Sequence, residues 1–291
     1  MNQTKPEKII KVIAILVIIL TGICCILPFI SKGEIANKSV ISAFGENINL
    51  YGKGIYARNS FSMAIQAIAQ DIVTLIFAET GMIVSLVLIH KKKIVGQFLL
   101  TGLFGYLLYT YMSYAFLMYY NELFLMYVLN MILSFYGFVT CIITLNKSPL
   151  VEKLQQKMNT KILQIFLIAA GVAVLFMWLG RILPTLGTDT APTGLEHYST
   201  LVIQALDLGF VVPACFVISY LLKTKSRLGY ILAPVLVIKE VTLVIAVLTM
   251  AFCMKFSGVE VATVEFIVFG SICVFLLYYL YRIIRKINLI S

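Results

Sequence analysis

Eight apolar runs, each long enough to cross a bilayer, leave this chain few ways to fold. Val12 to Ser31 holds no charged residue, and at about 1.5 Å per residue it reaches across a hydrocarbon layer roughly 30 Å thick. The other runs are Ser60–His90, Ile94–Tyr120, Leu123–Asn146, Ile162–Leu186, Leu201–Leu222, Leu228–Met254 and Ala262–Tyr281. A cleaved signal peptide is the competing reading of the first run, but its apolar core is long for one and no clear A-x-A site follows. Composition agrees with membrane burial: 61% of residues are hydrophobic and 12% charged, against about 25% charged in a soluble domain. The expected fold class is all-α, a polytopic transmembrane bundle of eight spans forming one integral membrane domain, with the lipid bilayer as its first partner.

The basic residues orient it. Of 23 Lys and Arg, sixteen fall in the two tails and the connections after the second, fourth and sixth spans, and five fall on the other side. That bias predicts cytoplasmic termini and a cytoplasmic 147–161 connection. It also accounts for the net charge of +10 without nucleic acid.

The second span is the most informative. On a straight helical wheel, Gln66, Gln70, Asp71 and Thr74 share an arc with Ala67, Ala78, Gly81 and Ser85, opposite Ile65, Ile72, Ile76, Ile83 and Val87. One side is built for lipid, the other for protein or water. Glu79 falls toward the lipid arc, so it is either protonated or covered by a neighbour. In the sixth span, Gln204 and Asp207 echo this pattern: Ile65-Gln66-Ala67-Ile68 resembles Ile203-Gln204-Ala205-Leu206, and Ile26-Leu27-Pro28 resembles Ile182-Leu183-Pro184. These matches point to two four-span halves, 1–146 and 162–291, in parallel orientation and joined by 147–161.

A carboxylate at the centre of a lone helix in lipid costs about 2.5 to 3.5 kcal/mol, so Asp71 and Asp207 must be paired, protonated or wet. Lys239, at comparable depth in the seventh span, is the expected partner of Asp207, with Glu240 turned about 100° away. The candidate binding residues are therefore Asp71, Asp207, Gln66, Gln70, Gln204, Lys239 and Glu240. No catalytic role is assigned to any residue. Tyr106, Tyr109, Tyr111 and Tyr114 crowd the third span, either as packing or as the wall of an organic-cation pocket, while Tyr119 and Tyr120 suit an interfacial belt. Arg58, Arg181, Trp178 and Glu122 read as interfacial anchors. His90, His197 and the six cysteines, Cys24-Cys25 included, show no ligand or nucleotide motif, so no metal and no cofactor is expected.

Gln70-Asp71-Ile72-Val73-Thr74-Leu75, Asn121-Glu122-Leu123-Phe124 and Gln204-Ala205-Leu206-Asp207-Leu208-Gly209 with Pro213 resemble a family of uncharacterised bacterial multi-span membrane proteins. The resemblance covers most of the chain and implies a bacterial cell membrane but no activity. It places a proline and aliphatics where this chain has Glu79-Thr80-Gly81. Three functions remain open: a small transporter or permease whose carboxylates line a polar cavity for an ion or small solute; a membrane-embedded enzyme acting on a lipid head group at the outer face, with Asp71 or Asp207 as acid/base and Arg58 and Arg181 on its phosphate; and a non-catalytic assembly or sensor subunit.

Overall fold

The computed structural model describes residues 5–290. Its eight spanning helices are Glu7–Ile30, Phe61–His90, Ile94–Leu117, Phe124–Asn146, Lys161–Thr185, Val202–Lys223, Arg227–Phe256 and Thr263–Ile290. A helix lets a segment in lipid pair most of its backbone groups within itself. The eighth runs past the expected end at Tyr281 and carries Arg282, Arg285 and Lys286 within it. An even number of spans with short connections returns the chain to its starting side, here called the terminal face; the opposite side is the hairpin face.

The third and seventh spans form the centre: 72% and 61% of their apolar windows are buried, against 17% for the fifth and eighth. They meet at Gly102, where a side chain would set its first carbon 2.5 Å from Ile238 Cβ and 3.0 Å from the Val235 carbonyl oxygen. Only glycine allows backbones this close. The second span packs on the seventh and third, the fourth on the third and first, and the sixth on the fifth and seventh.

One turn is built twice on the terminal face. After the second span, Lys92 adopts φ 60° and Lys93 N–H donates to the Leu88 carbonyl; after the sixth, Lys225 adopts φ 54° and Ser226 N–H donates to the Leu221 carbonyl. Gly96 and Gly229 each stand four residues beyond the left-handed lysine and pack so closely on the preceding helix that a first side-chain carbon would fall 2.7 Å from its atoms. At the same sequence spacing, both preceding helices carry a π-helical turn, Thr74–Glu79 and Asp207–Val211. Pro213 explains the second, because it lacks the N–H that would bond back four residues; Thr80 holds that place in the first. Counted back from these turns, Asp207 stands at the spacing of Thr74, and Gln204 at that of Asp71.

The connections are ordered rather than plain loops. Between the first two spans, Ser39–Ile41 and Asn47–Asn49 pair antiparallel, with Val40 opposite Ile48, and Gly54–Tyr56 forms a 3-10 turn. The 147–161 connection contains the helix Leu150–Lys157. Arg227 clamps it, bonding Glu152 at 2.8 Å and the carbonyls of Asn146 and Ser148 at 2.9 and 2.5 Å.

Candidate functional site

Asp71 is 1% exposed and lies inside the bundle, sealed rather than on the wall of open water. Tyr56 Oη donates to its Oδ2 at 2.8 Å, and Tyr114 Oη to its Oδ1 at 2.9 Å. Cys25 of the first span also approaches it. Among the described residues, no lysine, arginine or histidine pairs with it. Tyr56 comes from the hairpin face, outside the spans. Burial, and then the Asp71 carboxylate, push its hydroxyl well above the usual tyrosine pKa, so Tyr56 stays a donor.

The third span supplies the rest. Gln70 Nε2 donates to Tyr106 Oη at 2.7 Å and to Thr110 Oγ1 at 3.0 Å, and Thr74 Oγ1 meets Tyr106 Oη at 2.9 Å. Residues 106, 110 and 114 recur every four positions, so they share the face toward the second span. Tyr109 looks the other way and donates to Asp207 Oδ1 at 2.7 Å. Gln66 stays outside this network, bonding the Ser62 carbonyl of its own helix at 3.4 Å.

Asp207 is half-buried, and its second oxygen accepts from Trp178 Nε1 at 2.9 Å. Trp178 is thus more than an interfacial anchor. The expected Lys239–Asp207 pair does not form. Lys239 Nζ donates to its sequence neighbour Glu240 at 2.8 Å and lies 4.4 Å from the centre of the Tyr109 ring. Two long side chains can bend toward each other across 100° of helix, which the wheel overlooks. Gln204 is buried on the sixth span.

Glu79 lands against the first span, not toward lipid. The π turn adds a residue to one helical turn and sets the rest of the helix back by about 100°. Its Oε1 is buried with no hydrogen-bond partner, and it would stand 3.2 Å from a first carbon at Gly22.

On the hairpin face, Asn59 Oδ1 accepts from Tyr119 N–H at 3.0 Å and Tyr198 Oη at 3.2 Å, joining three connections. Ser62 donates to Glu196 at 2.6 Å, and His197 Nε2 donates to the Arg58 carbonyl at 3.1 Å, which fixes its tautomer. A recess of about 280 Å³ lies beside them, lined in part by Val40, Arg58, Tyr119 and His197. Arg181 is not in that lining; it bonds the Thr193 carbonyl and lies over Trp178.

The partners of the carboxylates, Tyr56, Tyr114 and Trp178, were not legible as such in the sequence. The density of tyrosines in the third span was the one signal available, and it fitted packing equally well.

Compared with models of protein families, with curated proteins and with solved structures, the chain matches none. Of the family resemblance carried by its motifs, the eight apolar helices support the coarse content, a multi-span membrane protein.

Proposed function

We propose that this integral membrane protein is a small carrier in which Asp71 binds a small cation, and that the sealed site is its occluded conformation. One observation carries the reading: a carboxylate within a span, 1% exposed, is held by two tyrosine hydroxyls and by no cation. A structural ion pair would have supplied a positive partner, and an apolar side chain would fill the place without burying a charge. What the site lacks is positive charge, which a transported cation would bring. Tyr56 ties this carboxylate to the hairpin-face connection, so moving that segment uncovers it. The repeated π turns, each in a helix packed on the central pair, give two places where a span can bend. The two-half organisation, 1–146 and 162–291 around the third and seventh spans, belongs to the same proposal.

The test is uptake of sodium, choline and putrescine by liposomes holding the purified full chain. We expect at least one to enter faster than into protein-free vesicles, and Asp71→Asn to abolish that uptake while the protein stays monodisperse. Equal entry with and without protein for all three cations would refute the carrier. Tyr56→Phe should leave Asp71 one donor short, at a cost of about 1–3 kcal/mol, seen as a lower unfolding midpoint.

A further inference from the structure

Glu79 is the one carboxylate in the spans with a buried oxygen that has no hydrogen-bond donor among the described residues. It lies 18 positions from Phe61 and 11 from His90 along its helix, well inside the hydrocarbon layer from either end. The π turn that carries it packs on the first, third and seventh spans. From the first span it faces Gly22 and the Cys25 thiol. On the third span the tyrosines are committed elsewhere, Tyr106 to Gln70 and Thr74, Tyr109 to Asp207 and Tyr114 to Asp71; Tyr111 approaches the Cys24-Cys25 thiols. On the seventh span, Lys239 is committed to Glu240.

Ionised, this carboxylate would hold one oxygen buried with no donor, which is costly. A metal cation does not resolve it. Calcium takes six or more oxygen ligands and magnesium a full octahedron, and no group of three metal-ligating side chains occurs among the described residues. A proton needs one oxygen. On the same two spans, Ile19 and Ile23 of the first and Ile76 and Phe77 of the second are exposed apolar residues. Cys25 stands within electrostatic reach of both Glu79 and Asp71, so a change of charge at one carboxylate is felt near the other.

We propose that Glu79 is a proton-binding site at the contact between the first and second spans, taking up and releasing the proton that accompanies the cation bound at Asp71. The coupling role rests on the carrier reading; the proton site itself does not.

Two arms separate them. Dicyclohexylcarbodiimide, a lipid-soluble reagent, adds only to a carboxyl that still holds its proton. Applied to the full chain in liposomes, it should modify Glu79, as read by mass spectrometry of peptides, and leave the sealed Asp71 untouched. The modification should weaken as the medium is made alkaline and vanish in Glu79→Gln. An unmodified Glu79 in neutral medium, or labelling that ignores pH, would overturn the proton site. In the second arm, an inward proton gradient should accelerate uptake of whichever of sodium, choline or putrescine enters, and Glu79→Gln should lose that acceleration while exchange at equal pH persists. Uptake indifferent to the gradient in the unmodified chain overturns the coupling while the carrier stands. Absence of uptake overturns the carrier and the coupling together, and the labelling still decides the proton site.

Discussion

At the scale of single residues, the chemistry turns on which partner a buried charge finds. Lys239 finds Glu240, 2.8 Å away on the same helix, with side chains 9% and 19% exposed. Removing one member of a buried pair leaves the other uncompensated, typically at about 3 to 5 kcal/mol. Lys239→Met should therefore lower the yield of folded protein, and Glu240→Gln in the same chain should restore part of it. Size-exclusion profiles of solubilised protein measure this. Rescue by Asp207→Asn instead would mean that the ammonium answers to the sixth span. The need for a partner was legible in the sequence; its identity was not, because a wheel records Cβ directions and not the reach of four methylenes. Asp71 shows the same limit. Its burial followed from the arc it occupies, but its donor Tyr56 sits fifteen positions earlier, in a stretch that reads as a polar loop.

At the scale of elements, glycine positions set how the helices approach. Gly102 lies at the crossing of the third and seventh spans with no room for a methyl group, whereas Gly270 on the eighth has nothing within 4 Å. Gly102→Ala should destabilise by about 1–3 kcal/mol through overpacking, and Gly270→Ala should not. Denaturation midpoints of the two variants decide it; equal midpoints would remove Gly102 from the contact. Span ends were largely legible, since apolar runs stop at lysines and asparagines. Helical phase was legible only in part. A π turn leaves no mark in hydropathy, so a straight wheel turns Glu79 toward lipid, although it keeps Ala78 and Ser85 on the buried side and Ile76, Ile83 and Val87 on the exposed one, where they lie.

For the whole molecule, the distribution of Lys and Arg predicts a cytoplasmic terminal face. With the six native cysteines replaced, Lys38→Cys should react with an impermeant maleimide in intact cells, and Lys153→Cys should react only after lysis. Reversed labelling would invert the protein in its membrane. The Lys239–Glu240 pair has a bearing on how the molecule is made. Its two charges are consecutive, so the machinery that releases one helix at a time into lipid meets a neutral pair in the seventh span, ready to insert without waiting for a neighbour. Asp71 has no such arrangement. One of its donors is synthesised before it and the other, Tyr114, a full span later. During biogenesis the second span therefore enters with its carboxylate half-satisfied and is completed only when the third arrives beside it.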